Sequence, residues 1–204
     1  MKKYLFIAFA MLMTIAFTSC STKPVKTIEN LREGIKGETT ASAKYAAFAK
    51  KALEEKHDAI AKLFLAASKA ESIHAANHTK ALESLGEKME PFKPEFEVKS
   101  TAENLQAAID GESYENTQMY PKFITEAKTE NADKAVKSFT WANDTEKKHE
   151  AFYRQALAAL NAKTENTLPK AYLVCPVCGN TYDAANVDEK CAFCGTSKDK
   201  FEKF

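Results

Sequence analysis

Two short stretches of the form Glu-x-x-His have the residue types and the spacing of metal ligands. They run from Glu71 to His74 and from Glu146 to His149. Residues three apart on an α-helix lie on one face, about one turn from each other. Each stretch therefore presents one carboxylate and one imidazole to a single metal ion, and together they hold two of the four histidines of the chain.

Both stretches belong to a segment that occurs twice in the sequence. The ranges 30–38 and 104–112 both read N-L-x-x-x-I-x-G-E at an offset of 74, and the two Glu-x-x-His stretches follow at an offset of 75. Each copy therefore provides one glutamate on a first helix, which is Glu38 or Glu112, and a Glu-x-x-His on a second helix.

Two copies that face each other would place four glutamates and two histidines in the core of one helical bundle. This is the ligand set of the carboxylate-bridged di-iron and di-manganese four-helix proteins. The alternative is an old duplication of a helical hairpin that binds no metal. Such a duplication would not need acids and histidines on apolar helix faces, where an unpaired charge costs free energy. The sequence therefore favours a dinuclear metal site.

Four cysteines near the C-terminus form a second candidate metal site. Cys175 and Cys178, and then Cys191 and Cys194, make two Cys-x-x-Cys-Gly motifs with twelve residues between them. The glycine after each pair permits the positive φ that directs backbone N–H groups at the sulfurs. Four thiolates in a tetrahedral array suit iron or zinc, and the spacing does not choose between them. Two disulfides are the alternative.

Apolar residues at helical spacing predict the elements that position these ligands. The segment 86–100 contains Pro91 and Pro94 and is predicted to be a non-helical crossover, after which Ser100 or Thr101 caps the third helix. Pro121 is expected to kink that helix. His78 is expected beside the metal site or at the surface, and not as a ligand. The predicted helices span about residues 27–55, 57–85, 102–130 and 132–161.

A long crossover between two helical hairpins is the connectivity of ferritin-like bundles. The predicted fold is mainly α, with a ferritin-like four-helix bundle at 27–162, a linker at 163–170 and a small four-cysteine module with short β-strands at 171–204. The 204 residues are 45% apolar, which suffices for a core of this size. The net charge of +1 gives no reason to expect a nucleic-acid partner.

The N-terminal residues have the pattern of a targeting segment. Lys2 and Lys3 precede an apolar run that is long enough for a signal peptide and too short to span a membrane. The run ends in Thr18-Ser19-Cys20, which resembles a bacterial lipoprotein box. We therefore expect residues 1–19 to be a signal peptide, Cys20 to be lipidated and 20–26 to be a tether. This predicts a lipoprotein anchored to a membrane of the bacterial cell envelope, on the periplasmic side; ordinary secretion is the alternative.

The chain resembles the rubrerythrins over about residues 27–204. The resemblance is carried by Gly37-Glu38, both Glu-x-x-His motifs, the run from Gly111 to Glu115, Met119-Tyr120-Pro121 and the four-cysteine motifs. It implies that Tyr45 and Tyr120 hydrogen bond to the carboxylates of a di-iron site. The implied di-iron ligands are Glu38, Glu71, His74, Glu112, Glu115, Glu146 and His149. The implied ligands of a rubredoxin-type iron are Cys175, Cys178, Cys191 and Cys194.

The resemblance also implies an activity and an assembly. The activity is that of a peroxidase, which reduces hydrogen peroxide to water with electrons relayed through the four-cysteine iron. One iron would exchange Glu115 for His74 on reduction. The assembly is a homodimer in which the four-cysteine iron of one subunit lies close to the di-iron site of the other. The lipoprotein-like leader would keep cytosolic reductases out of reach, so the electron donor is not identified. Two alternatives stay open: a ferroxidase or iron-storage protein, and a metal-binding protein with a structural zinc ribbon.

Overall fold

The helices form two hairpins joined by a long crossover, as the sequence predicts. The computed structural model describes residues 23–204, so the leader and Cys20 lie outside the described residues. Residues 87–100 have no regular structure and connect the two hairpins. None of the helices in the range 23–204 has an apolar stretch long enough to cross a bilayer. The α-helices are α1 (Val25–Glu54), α2 (Asp58–Glu83), α3 (Thr101–Tyr114), α4 (Tyr120–Thr129) and α5 (Asp133–Ala162).

The third predicted helix, at 102–130, is not one continuous α-helix. A π-helical segment, Glu115–Met119, separates α3 from α4. Its wider turn lets the Tyr120 N–H donate to the Glu115 carbonyl five residues earlier. Pro121 follows directly, and a proline has no N–H and clashes with the carbonyl four residues before it. The interruption thus falls where the kink was predicted, and π-segments of this kind occur often at functional sites.

The duplicated segments cap each other's first helix. The Ser100 side chain caps α3 in a capping box with Glu103. The end of α1 supplies a second acceptor for α3, Glu55 Oε2, to which the Thr101 N–H donates at 2.9 Å. In the other copy no side chain of α1 caps its own start, and the Thr27 N–H donates to Glu130 Oε2 at 2.7 Å. Glu55 and Glu130 occupy equivalent positions at the ends of α1 and α4.

A buried polar belt divides the bundle core into two apolar clusters. One cluster packs aromatic rings such as Tyr45, Phe64 and Tyr153, and the other packs Tyr120 and Phe139. The belt consists of Glu38, Glu71, His74, Glu112, Glu146 and His149. On α1, α2 and α5, which contribute to both clusters, these residues lie between the part in one cluster and the part in the other. Each belt side chain is therefore closed off from water by apolar layers on two sides.

The C-terminal module is a small antiparallel sheet that packs on the bundle. Its strands are β1 (Tyr172–Val174), β2 (Thr181–Asp183) and β3 (Glu202–Lys203), in the order β2-β1-β3. The Phe152 ring of α5 packs edge-on against Tyr172 at 5.3 Å, and Asn77 of α2 donates to the Val177 carbonyl at 2.9 Å. The predicted fold, a ferritin-like bundle followed by a four-cysteine module, is confirmed.

Candidate metal centres

Six of the seven predicted bundle ligands lie together in two overlapping groups of four. In each group the candidate ligand atoms lie within 4.8 Å of one another. All six side chains are buried, with at most 2% of the residue surface exposed. The first group is Glu38, Glu71, His74 and Glu146, and the second is Glu71, Glu112, Glu146 and His149.

Glu71 and Glu146 belong to both groups because each of them faces both histidines. Glu71 places one oxygen 2.9 Å from His74 Nδ1 and the other 3.1 Å from His149 Nδ1. Glu146 places its two oxygens 2.8 Å and 2.7 Å from the same two nitrogens. Each of these carboxylates would therefore be placed to hold both ions of a dinuclear centre, while Glu38 and Glu112 would each hold one.

The belt is suited to cations and poorly suited to remain without them. Five of its facing atoms lie close to one another but make no well-directed hydrogen bond among residues 23–204: Glu38 Oε2, Glu71 Oε1, both Glu146 oxygens and His149 Nδ1. Buried polar atoms without partners cost free energy, and metal coordination removes that cost. Carboxylate and imidazole donors in this number suit iron, manganese or zinc. The donor set therefore fits a dinuclear metal centre.

The pKa values of the belt residues reflect the number of carboxylates that are buried together. Burial and the nearby Glu146 raise the pKa of Glu71, and burial with Glu146 and Glu71 raises that of Glu112. Burial would lower the pKa of His149, but Glu71 and Glu146 outweigh it and raise that pKa to about 9. The groups with raised pKa values hold protons more tightly where metal cations would supply positive charge, and metal binding would release those protons.

Two tyrosines hydrogen bond to the belt from outside, and His78 hydrogen bonds to one of them. The Tyr45 hydroxyl donates to Glu112 Oε1 at 2.8 Å, and the Tyr120 hydroxyl donates to Glu38 Oε1. His78 is fully buried, with Nε2 3.0 Å from the Tyr120 hydroxyl and Nδ1 2.6 Å from Ser138 Oγ. His78 therefore lies beside the site, as one of the two sequence-based expectations had it.

Glu115, the seventh predicted ligand, belongs to neither group. It is the first residue of the π-segment, and His74 occupies the place beside Glu38 in the first group. Burial, with Glu38 and Glu146 nearby, raises the pKa of Glu115 well above its ordinary value. The charges of the belt thus affect the pKa of the Glu115 carboxyl, although Glu115 is not among the grouped ligands. Its role as a ligand stays a prediction.

The four cysteines of the C-terminal module converge on one point. Their Sγ atoms lie within 4.8 Å of one another, and two of the pairs are separated by 3.4 Å (Cys178–Cys191) and 3.5 Å (Cys175–Cys194). These separations exceed the roughly 2.05 Å of a disulfide, and all four cysteines are free, so the two-disulfide alternative is wrong. Gly179 and Gly195 have positive φ, at 82° and 75°, as the motif predicts.

The module touches both candidate ligand histidines directly. His149 Nε2 lies 2.9 Å from Thr181 Oγ1, and the Thr181 hydroxyl donates to the Gly179 carbonyl at 3.2 Å. A β-carbon on Gly179 would lie only 2.3 Å from His74 Nε2, so no side chain fits between this turn and His74. These contacts form within one chain, and the approach between subunits that the resemblance implies stays a prediction.

Sequence reasoning missed the residues that join the two centres. Thr181 is 32 positions from His149 and lies in a separate module, so no local spacing signals their contact. Gly179 is recognisable as a turn glycine, but its approach to His74 is visible only once the module is docked. Ser138 likewise carries no signal before α2 and α5 are packed together.

Comparison with known proteins gives one consistent result. The Rubrerythrin family model matches residues 29–157. Nigerythrin of Nitratidesulfovibrio vulgaris is 39% identical over 183 residues, which are 87% of this chain and 86% of its own. Rubrerythrin-2 of Clostridium acetobutylicum is 34% identical over 185 residues, which are 90% of this chain and 100% of its own. A solved mixed-valence state of nigerythrin superposes with a TM-score of 0.79 at 33% identity and covers 100% of both chains.

These similarities extend over both metal centres. The family match spans the bundle ligands from Glu38 to His149, and the nigerythrin superposition includes the four-cysteine module. The protein thus has a di-iron carboxylate–histidine site in a ferritin-like bundle and a rubredoxin-like four-cysteine site. The chain belongs to the rubrerythrin family.

Proposed function

We propose that this protein is a non-haem di-iron peroxidase that reduces hydrogen peroxide to water with electrons relayed through the four-cysteine iron. The contact between the centres carries the proposal: His149, a candidate bundle ligand, is hydrogen bonded to Thr181 of the four-cysteine module. A protein that only stores iron has no need of a second redox centre against its ligands. Membership of the rubrerythrin family supports an iron-dependent oxidoreductase.

The residues of the belt have separate tasks in this proposal. Glu71 and Glu146 would hold both metal ions, Glu38 and His74 would complete the ligands of one, and Glu112 and His149 those of the other. When bound, the di-iron group supplies two electrons to the O–O bond, so that peroxide, two electrons and two protons give two waters. Burial raises the pKa values of Tyr45 and Tyr120, which therefore keep their protons and hold the carboxylates by donation.

The first test is metal analysis combined with the visible spectrum of the air-oxidised protein. We expect about three irons per chain, two in the bundle and one in the module, and the red colour of ferric thiolate iron. A colourless module containing zinc would support the alternative of a structural zinc ribbon.

The second test separates peroxide reduction from ferroxidase activity. The anaerobically reduced protein is mixed with one equivalent of hydrogen peroxide or with dioxygen, and the absorbance of the oxidised di-iron site is followed. We expect peroxide to react faster. Faster oxidation by dioxygen, together with a many-subunit shell in light scattering, would favour iron storage instead.

We also propose that the protein is a homodimer, held at the membrane by lipid on Cys20. Each buried CH₂ contributes about 0.8 kcal/mol, so several acyl chains would anchor it firmly. The Cys20→Ser variant should move to the soluble fraction, and an unchanged membrane fraction would contradict lipidation.

Sedimentation of the detergent-solubilised protein tests the proposed homodimer, and a monomer would contradict it.

A further inference from the structure

Lys148 lies against the four-cysteine module, although it immediately precedes His149 on α5. Its Nζ donates to Asn180 Oδ1 at 2.6 Å and lies 4.3 Å from the centre of the Tyr182 ring and 4.8 Å from that of Phe193. Asp144, one turn earlier, pairs at 2.8 Å with Lys147 instead. The positive charge of Lys148 is therefore directed at the module.

A chain of hydrogen bonds leads from this cation to a cysteine sulfur. Asn180 Oδ1 accepts the hydrogen bond from Lys148, and Asn180 Nδ2 donates to the Tyr182 hydroxyl at 2.6 Å. The Tyr182 hydroxyl in turn donates to Cys191 Sγ at 3.4 Å. All three bonds point from donor to acceptor in the same direction, so each polarises the next towards the sulfur.

The charge of the four-cysteine site fixes the sign of the effect. Four thiolates carry a charge of −4, so the site carries −1 with ferric iron and −2 with ferrous iron. A cation nearby stabilises the more negative, reduced form more strongly, and hydrogen bonds to sulfur act in the same sense. Both effects raise the reduction potential.

We propose that Lys148 raises the reduction potential of the four-cysteine iron through Asn180 and Tyr182. Lys148 is thus a positioning residue, which acts on the iron through its neighbours. The inference rests on the proposed function, because it requires iron in the four-cysteine site. A raised potential keeps this iron reduced, so that an electron is available when the di-iron site has been oxidised. On α5, two consecutive residues would then serve the two centres, with Lys148 facing one and His149 the other.

The test is a spectroelectrochemical titration of the iron-loaded, full-length protein, followed at the ferric thiolate absorbance. In Lys148→Met we expect the ferric-to-ferrous ratio at a fixed potential to rise about tenfold, which is a downward shift of 59 mV for one electron. Lys147→Met is the matched control, because this neighbour is exposed and should leave the potential unchanged. Lys148→Arg keeps the charge and should retain most of the wild-type potential.

The outcomes separate this inference from the function on which it rests. A colourless, iron-free module in the wild type would overturn the relay and this inference with it. If the wild type is red and Lys148→Met has the same potential as the wild type, only the inference is overturned. The inference is also overturned if Lys147→Met or Lys148→Arg lowers the potential as much as Lys148→Met does. If Lys148→Met does not hold iron, Tyr182→Phe removes the hydroxyl that donates to Cys191 Sγ, and the potential of this variant must also fall for the inference to stand.

Discussion

At the scale of single residues, Thr181 determines which nitrogen of His149 is available to a metal. The Thr181 hydroxyl has one proton and donates it to the Gly179 carbonyl, so its oxygen must accept from His149 Nε2–H. In the neutral imidazole that binds a metal, this arrangement leaves the lone pair on Nδ1, the atom that faces Glu71 and Glu146. A partner on the far nitrogen of a metal-binding histidine commonly fixes the tautomer and raises ligand basicity.

Replacing Thr181 by valine should therefore weaken metal binding in the bundle. Valine has the same shape and no acceptor, which leaves His149 Nε2–H unpaired. Loss of such a partner typically lowers metal affinity by about 10- to 100-fold. Competition with a chelator, followed at the di-iron absorbance, measures this. Thr181→Ser keeps the hydroxyl and should behave like wild type; a valine variant that holds iron as tightly would contradict the assignment.

Glu115 breaks the symmetry of the duplication, because the equivalent residue in the first copy is Ala41. With Glu115 the site has five carboxylates, whose charge of −5 exceeds that of two ferrous ions by one unit. Two ferric ions carry +6 and leave no such excess. Unbalanced charge is costly in a poorly screened core. An exchange of Glu115 for neutral His74 on reduction would relieve it, and the structure has His74 in the first group.

We predict that Glu115→Ala retains iron but turns over peroxide more slowly and has a shifted di-iron potential. The shift follows because the carboxylate would stabilise only the oxidised state. Iron content, steady-state peroxidase rate and a redox titration check the three parts. An unchanged rate and potential would refute the exchange, and so would a diferrous crystal structure with that iron still on Glu115.

At the scale of elements, the two hairpins depend on each other for helix capping. Glu130 accepts from the Thr27 backbone and hydroxyl, and Glu55 accepts from the Thr101 backbone. A carboxylate at a helix N-terminus satisfies free N–H groups and complements the helix dipole. Docking of the two hairpins therefore adds a cap to the first helix of each, which couples the folding of the two copies.

The Glu55→Gln variant should lose about 1 kcal/mol of unfolding free energy at pH 7, as capping substitutions typically do. Hydrogen bonds from Thr101 lower the pKa of Glu55 from its ordinary value of 4.5 to about 2. Its contribution is therefore complete above pH 4.5 and is lost as the pH falls towards 2. Urea denaturation should show the wild type and the variant converging over this range. Glu54→Gln, at the exposed neighbour, is the control, and a constant difference would contradict the capping role.

At the scale of the whole molecule, the short linker holds the four-cysteine module against the bundle. The linker contains a 3₁₀ turn at Glu165–Thr167 and is tied to the turn between α1 and α2, where His57 Nδ1 lies 3.0 Å from Glu165. Lys69 of α2 pairs with Glu202 of β3 at 2.8 Å. The module is thus fixed to the bundle at several points. A fixed position suits the proposed electron transfer from the four-cysteine iron to a di-iron site.

We predict that Cys178→Ser abolishes peroxide turnover driven by a protein electron donor. It should leave a single oxidation of the pre-reduced di-iron site by peroxide largely intact, because that reaction needs no relay. Steady-state and single-turnover assays measure the two reactions separately. Equal losses in both would indicate a folding defect and exclude the relay role.

The chemistry and the connectivity of the protein follow from local sequence. The Glu-x-x-His and Cys-x-x-Cys motifs are interpretable because their spacing brings ligand pairs together within one helix turn or one tight turn. Apolar periodicity and the prolines of the crossover predict the helices and their order. The duplication also predicts that the two halves pair, because two similar hairpins bury their ligand-bearing faces by packing them against each other.

Only the tertiary structure decided how the ligands are shared and what surrounds them. Glu71 and Glu146 face both histidines, while Glu115 stands apart, because these positions depend on the packing of different helices and on the π-segment. The contact of Thr181 with His149 joins residues of separate modules and depends on docking. Such contacts have no sequence period, since they are made by chain segments that meet only after each has folded.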